Sequence, residues 1–353
     1  MMLNYSDIIQ KLLRIRKSTN EVTAACVYGS RIMGTATENS DLDVYLITGG
    51  NTDFRGCYRV DGIAVEYFEK SFMTIMKEIE QNRKRNNPFY DSFFKHCEVV
   101  FDRSGMVNYL RDYHKQTGNV LSTPLKLNDA DLQTLMMLQI ELEKHANQED
   151  SIYDYYYYTF LEQLRMAYHK QNGCTMISTY NTYSLYQDKA KTGRYCTILP
   201  NQEYRTFFLD CIENAESPRS MKQRRIVEAK DYLGIQTLEP IKESLLQPHS
   251  RIETIRHQWI SIYHGIKHLE DTYYGNKKSF YYEYYVLAHQ LQRLNDAYLT
   301  TFPGQTLPSD WHAQLVSTGD IYALDKVTDF FCEQLDCNPE EYEIPYFRKN
   351  YRI

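Results

Sequence analysis

Three features are missing from this 353-residue sequence: a long hydrophobic run, a paired cysteine motif and an excess of positive charge. No apolar run approaches the roughly 18 residues that span a bilayer, and the first residues lack the apolar core of a signal peptide. The eight cysteines include no CxxC pair, so the sequence indicates neither a zinc site nor a disulfide framework. The formal charge of -6 argues against a surface that binds nucleic acid throughout. We therefore expect a cytoplasmic protein with reduced thiols and no membrane partner.

Tyrosine, by contrast, is abundant. The chain has 32 tyrosines, many of them in the segments "YDYYYYTF" (153–160) and "SFYYEYYVLAH" (279–289). Clustered tyrosines can line a pocket for planar or sugar-like ligands, or they can fill a hydrogen-bonded core. The sequence leaves both interpretations open.

The order of apolar patterns predicts an α+β protein. Up to about residue 105, helical and strand patterns alternate, including a hairpin with its turn at Asp61-Gly62 and a last strand in "CEVVFD" (97–102). Beyond that point the patterns are helical, over 106–117, 128–148, 151–172, 201–216, 219–233, 238–270, 279–300 and about 320–335. We predict an N-terminal mixed β-sheet flanked by helices and a mostly helical C-terminal half. The predicted domains are 1–105, 106–237 and 238–353.

Two aspartates interrupt an otherwise apolar strand in "DLDVYLIT" (41–48). Asp41 and Asp43 are two residues apart, so they lie on one face of the strand, about 7 Å from each other. Two anions this close repel unless cations lie between them. Glu66, on the returning strand of the hairpin, is the natural third carboxylate. Carboxylate oxygens of this kind suit Mg²⁺, so the three residues are the predicted metal ligands.

A glycine-serine turn precedes the aspartates. Gly29 allows close approach of the backbone, and the Ser30 hydroxyl with nearby amides can hold phosphate oxygens. Arg31 and Ser40 flank the same predicted cleft, the first contributing charge and the second a hydrogen bond. Phosphates and metal ions would therefore meet in one place.

The stretch "GSRIMGTATENSDLDVYL" resembles the signature of the DNA polymerase β-type nucleotidyltransferase superfamily, in particular its aminoglycoside-type and antitoxin-type bacterial branches. The resemblance covers roughly residues 5 to 105. It implies that Gly29 and Ser30 bind a nucleoside triphosphate, and that Asp41, Asp43 and Glu66 act as the catalytic, Mg²⁺-binding carboxylates.

The resulting functional prediction is a Mg²⁺-dependent nucleotidyltransferase that moves a nucleoside monophosphate, with AMP from ATP favoured, to an acceptor hydroxyl. A small polar acceptor such as an aminoglycoside-like compound is favoured. Two alternatives stay open: an enzyme acting on tRNA or a partner protein, as in toxin-antitoxin systems, and a non-catalytic nucleotide-binding module. The catalytic base is not identified, and a homodimer that completes the site is left open.

Three other charged features are predicted to be structural. The basic runs at 82–87 and 218–225 are more typical of solvated helix faces than of RNA-binding tracks. Arg165 and His169, four residues apart, indicate a core or surface pair rather than a ribonuclease site. Glu69, a rival of Glu66, is expected to be solvated beside Lys70.

Overall fold

The structure is a computed structural model that describes residues 4–50, 52–84, 87–117, 123–147, 152–177, 179–188, 197–238, 252–275, 277–302, 315–316 and 321–345. The chain divides into two compact units. The first combines Met1–Leu121 with Cys332–Ile353, and the second is Ser122–Phe331.

The first unit is a mixed β-sheet with helices. Its elements in chain order are α1 (Tyr5–Ile15), β1 (Val22–Tyr28), α2 (Ser30–Met33), β2 (Leu42–Thr48), β3 (Asp53–Val60), β4 (Ile63–Ser71), α3 (Phe72–Lys84), α4 (Phe89–His96), β5 (Glu98–Asp102), α5 (Met106–Thr117) and, near the end of the chain, β6 (Glu341–Pro345). The strand order is β5-β1-β2-β4-β3-β6. Only β2 and β4 pair in parallel in this described sheet, and its other pairs are antiparallel. The predicted α+β class is confirmed.

Apolar side chains on both faces of the sheet explain its central position. One face packs against α1 through a cluster that includes Ile8, Leu12, Val27 and Val44. The other face packs against α3, α4 and α5 through a second cluster, to which β1 and β2 contribute Ala24, Cys26, Tyr45 and Ile47. Because both faces of β1 and β2 are covered, these strands read as nearly continuous apolar runs.

The turn between β3 and β4 fixes the register of the hairpin. Asp61 and Gly62 have φ angles of 50° and 80°, as a two-residue type I′ turn requires. Asp61 tolerates the left-handed region because its side chain is short and polar. The register places Cys57 opposite Glu66, which lies in the interior of the sheet.

Strand β6 completes the sheet at the outer edge of β3 and was not predicted from the sequence. Glu343 of β6 accepts hydrogen bonds from the Lys17 backbone amide at 2.9 Å and from the Tyr67 hydroxyl. Glu340, just before the strand, pairs with Arg59 of β3 at 2.7 Å. A segment far along the chain therefore belongs to the first unit.

The described part of the second unit is helical. Its helices are α6 (Asp129–Lys144), α7 (Ile152–Gln171), α8 (Thr179–Gln187), α9 (Gln202–Glu213), α10 (Arg219–Tyr232), α11 (Ile252–Gly275) and α12 (Phe280–Thr301), and α13 (Ile321–Gln334) follows in the chain. The predicted helical C-terminal half is confirmed. Among the described residues, no helix has both the length and the apolar character that a membrane span needs.

Helix α7 lies at the centre of the second unit's core. Tyrosines from both Tyr-rich segments are buried there, which agrees with their interpretation as core residues: Tyr153, Tyr155, Tyr157, Tyr158, Tyr282, Tyr284 and Tyr285. Arg165 and His169 of the same helix are also buried, and Arg165 forms an ion pair with Glu162 at 2.6 Å. The structural interpretation of this Arg-His pair is confirmed.

The basic run at 218–225 is only in part the solvated face that was expected: Arg224 is exposed, but two other cations of the run are buried. Lys222 is buried, donates to Asp154 at 2.7 Å, and lies 5.6 Å from the centre of the Tyr157 ring. Arg225 is buried as well and donates to Asp210 at 2.7 Å. These cations are paired with carboxylates inside their own unit, as buried charges usually are.

Candidate active site

Gly29 directly follows β1, and its backbone has a conformation that other residues rarely adopt. Its φ angle is 78°, and a Cβ atom added to it would lie 1.8 Å from Oδ2 of Asp43. The Asp43 carboxylate therefore occupies the space that a side chain at position 29 would need. Glycine is required here both for its backbone conformation and for this close approach.

Ser30 begins the single-turn helix α2, and the loop after that helix is held by Arg31. Gly34 ends the helix in the left-handed conformation. The Arg31 guanidinium donates to the backbone carbonyl of Asp41 at 3.1 Å and also to that of Ser40. The Ser40 hydroxyl accepts a hydrogen bond from the Thr37 amide at 2.9 Å. Arg31 and Ser40 thus shape the loop that leads into Asp41, one residue before β2.

Three carboxylates converge where the start of β2 pairs with β4. Asp43 and Glu66 are direct partners in the parallel β2–β4 ladder, and Tyr28 is the partner of Asp43 on the other side. A carboxylate oxygen of Asp41 lies within 4.8 Å of one from Glu66. The structure therefore brings Asp41, Asp43, Glu66 and Gly29 together.

The electrostatics of this cluster follow from its crowding. Burial, then the negative charges of Asp41 and Glu66, raise the pKa of Asp43 well above its usual range, while Arg55 and Arg31 act in the opposite direction. A bound divalent cation would favour the ionised form of all three carboxylates. The donor set is all oxygen and compact, so the residues fit a hard cation such as Mg²⁺.

Glu66 and its rival Glu69 have different environments. Glu66 is buried and accepts a hydrogen bond from Nε of Arg55, on the neighbouring strand β3. Glu69 was expected to be solvated, and that expectation is wrong: it is fully buried, with Arg16 at 2.6 Å and the Ser18 hydroxyl at 2.6 Å. Because the two glutamates are an odd number of residues apart, they face opposite sides of the sheet.

Sequence reasoning missed two residues at the cluster, Arg55 and Tyr28. Burial and the negative charges of Asp43 and Glu66 raise the pKa of Tyr28, so its hydroxyl stays protonated beside the carboxylates. The Asp61-Gly62 turn contained a signal for Arg55, because a two-residue turn sets Cys57 opposite Glu66 and places Arg55 diagonally from it.

Comparison with protein families adds an independent observation. Residues 10–104 match the family model described as "Polymerase beta, Nucleotidyltransferase". Residues 10–104 are a DNA polymerase β-type nucleotidyltransferase domain. The match includes Gly29, Ser30, Asp41, Asp43 and Glu66, and it ends within two residues of β5. A search of curated proteins finds no match to the chain.

The match supports nucleotidyltransferase activity in general. The family transfers nucleotidyl groups, takes a nucleoside triphosphate as substrate and generally uses a divalent metal. The β1-turn-α2-β2 arrangement, which joins Gly29 to Asp43, lies entirely within the matched residues.

Proposed function

We propose that the protein is a Mg²⁺-dependent nucleotidyltransferase that moves AMP from ATP to the hydroxyl of a small polar acceptor. The observation that carries the proposal is the convergence of Asp41, Asp43 and Glu66 beside Gly29, within the nucleotidyltransferase domain. A scaffold with no metal to bind would gain nothing from three crowded carboxylates, because their mutual repulsion opposes folding.

Each residue has a separate part in this proposal. Asp41, Asp43 and Glu66 hold the metal, which when bound favours the ionised acceptor hydroxyl and neutralises charge on the departing pyrophosphate. Gly29 leaves room for Asp43 and for the triphosphate, and Ser30 contacts the phosphate oxygens. Arg31 holds the backbone of Ser40 and Asp41, and so fixes the entry to β2.

The state of the basic run in α10 supports a small acceptor over RNA. An RNA-binding track needs exposed cations that can contact phosphates. Lys222 and Arg225 are buried and paired with Asp154 and Asp210. Two of the cations in the run are therefore already used within the second unit.

The test is transfer of label from α-³²P nucleoside triphosphates, one base at a time, with Mg²⁺. Three acceptor pools are offered: aminoglycosides, total tRNA and cell protein. We expect ATP to label a small molecule, and we expect Asp43→Asn to reduce the rate by roughly a thousandfold, since metal binding supplies several kcal/mol of transition-state stabilisation.

Asp61→Asn is the matched control, because Asp61 is also an aspartate of the first unit but lies in the exposed β3–β4 turn, where asparagine tolerates the positive φ. It should leave the rate unchanged. Label in the tRNA or protein pool alone would overturn the small-acceptor proposal. Nucleotide binding without transfer to any pool would favour the non-catalytic alternative.

A further inference from the structure

Arg55 is buried beside Glu66, although no part of the Gly-Ser and Asp-x-Asp pattern points to it. Its side chain and that of Glu66 are each only 8% exposed, and they form an ion pair across strands β3 and β4. An arginine at this depth must be neutralised by a carboxylate. Here the carboxylate is one of the three that form the candidate metal site.

The surroundings of Arg55 hold it in one place. The guanidinium carbon lies 5.6 Å from the centre of the Phe68 ring, which is opposite Arg55 in the hairpin. Tyr342 of β6 is buried nearby: burial raises the pKa of its hydroxyl, the charge of Arg55 lowers it, and the charge of Glu66 raises it. Strand β6 pairs with the outer edge of β3 over these residues. The ion pair is therefore enclosed on the side away from Asp43.

We propose that Arg55 is a positioning residue, which holds the Glu66 carboxylate towards Asp41 and Asp43 and so tunes the metal site. Arg55 donates from Nε to Oε1 of Glu66. The carboxylate is thereby fixed in one orientation, while its backbone position is set by pairing with Asp43. Partners that orient metal ligands in this way commonly contribute 10-fold to about 100-fold to metal affinity.

This inference rests on the proposed function, because it requires that the carboxylates bind a metal. The competing explanation is that Arg55 only neutralises a buried glutamate for the sake of folding. The two differ in one respect: a positioning residue acts on the metal through Glu66, so its effect must disappear when Glu66 can no longer act as a ligand.

The experiment measures Mn²⁺ binding to the full chain by electron paramagnetic resonance, with a non-hydrolysable ATP analogue present. Four variants are compared with the wild type: Arg55→Gln, Glu66→Gln, the double variant, and Arg59→Gln. Arg59 is the matched control, since it lies on the same strand and also pairs with a glutamate, Glu340, but is 47% exposed.

We expect Arg55→Gln to weaken Mn²⁺ binding by about 10-fold to 100-fold and Arg59→Gln to leave it unchanged. In the Glu66→Gln background, the further change Arg55→Gln should alter the affinity less than about twofold. Equal affinity of Arg55→Gln and the wild type, or the same loss with and without Glu66, would overturn the inference. Failure of the wild type to bind Mn²⁺ would overturn the proposed function itself.

Arg55→Lys covers the case in which the glutamine variant does not fold, as judged by circular dichroism. Lysine keeps the buried positive charge but lacks the planar, fixed geometry of the guanidinium. We expect a folded protein with Mn²⁺ affinity about 3-fold to 10-fold below that of the wild type. Wild-type affinity in a folded Arg55→Lys protein would show that the charge alone suffices and would refute the positioning role.

Discussion

The two units each contain a buried glutamate-arginine ion pair, and the pairs differ in the groups that surround the carboxylate. In the second unit, Arg165 contacts both oxygens of Glu162, at 2.6 and 2.7 Å. The Thr179 hydroxyl donates to the same carboxylate at 2.9 Å, as does the Tyr282 hydroxyl. Glu162 is thus satisfied by fixed groups of its own unit, as expected for a structural pair.

In the first unit, Arg55 donates to Oε1 of Glu66, and two more carboxylates lie close by. Burial and the negative charges of Asp41 and Glu66 raise the pKa of Asp43 there, although Arg55 and Arg31 act in the opposite direction. Such crowding of carboxylates distinguishes a site that favours cations from a pair that holds helices together. The location of the three carboxylates within the matched residues 10–104 agrees with that distinction.

The largest expected effect is on stability, and it tests the structural role of the Glu162–Arg165 pair. Arg165→Met removes the arginine of the Glu162–Arg165 ion pair and leaves Glu162 buried without its cation. We expect the free energy of unfolding to fall by about 3 to 5 kcal/mol. Urea unfolding followed by tryptophan fluorescence is the measurement, because Trp259 is fully buried in the second unit.

Arg293→Met is the control for that change, since Arg293 is an exposed residue of α12. It should alter the free energy of unfolding by no more than about 0.5 kcal/mol. If Arg165→Met unfolds at the same urea concentration as Arg293→Met, the Glu162–Arg165 pair contributes nothing to stability, and the comparison between the two pairs fails.

A second effect concerns activity rather than stability. In Gly29→Ala, the new methyl group would lie 1.8 Å from the Asp43 carboxylate, so the carboxylate must move. We expect the transfer rate to fall about 100-fold, because displacing a catalytic group by about 1 Å costs this much. The rate is measured with labelled ATP on folded protein.

Gly34→Ala is the control for a methyl group added at a glycine of positive φ near the site. Gly34 also has a positive φ, 68°, but nothing lies within 4 Å of the position that its Cβ would take. Alanine at position 34 lies in the left-handed region and costs roughly 1 to 2 kcal/mol. Gly29, with a ψ angle of -159°, lies in a region that essentially only glycine adopts, so Gly29→Ala adds greater strain as well as displacing Asp43. Similar rates for the two variants would mean that the approach of Gly29 to Asp43 has no catalytic importance.

Local sequence patterns predicted most of the helices and strands and the hairpin turn, because these depend on neighbours in the chain. They did not predict the short helices α4 and α8. They also did not predict β6, a short strand whose partner β3 lies near the other end of the sequence. Glu69 was misjudged for a similar reason: its neighbour Lys70 indicated solvent, whereas its true partner, Arg16, is 53 residues away.

The ion-pair partners of buried charges were not predicted from local sequence patterns. Lys222 appeared to belong to a solvated basic run, but Asp154, which neutralises it, is 68 residues earlier in the chain. A buried charge is stable only with such a partner, and sequence spacing does not reveal which residues tertiary contacts bring together. The contact of Arg55 with Glu66 could have been predicted from the hairpin register, since the two residues are only 11 positions apart.

The smallest effect extends the comparison to a buried glutamate of the second unit that is held by hydroxyl groups. Glu283 accepts hydrogen bonds from Thr272 and Ser279, both at 2.9 Å. Burial raises its pKa to about 7. Its nearest imidazole, His268 at 3.9 Å, has its pKa lowered by burial and offers little positive charge near neutral pH.

The native state therefore keeps the Glu283 proton up to about pH 7, whereas the unfolded state releases it near pH 4.5. Between these values the native state binds more protons, so the free energy of unfolding falls as pH rises, by at most about 1.4 kcal/mol per pH unit. Glu283→Gln, which keeps an oxygen acceptor for both hydroxyls, should gain stability relative to the wild type across this range.

Glu228→Gln, at an exposed position of α10, serves as the control and should show no such trend. A constant difference between Glu283→Gln and the wild type from pH 4.5 to 7 would mean that Glu283 is ionised when buried, and hydroxyl groups alone would then suffice to hold a buried carboxylate in this protein.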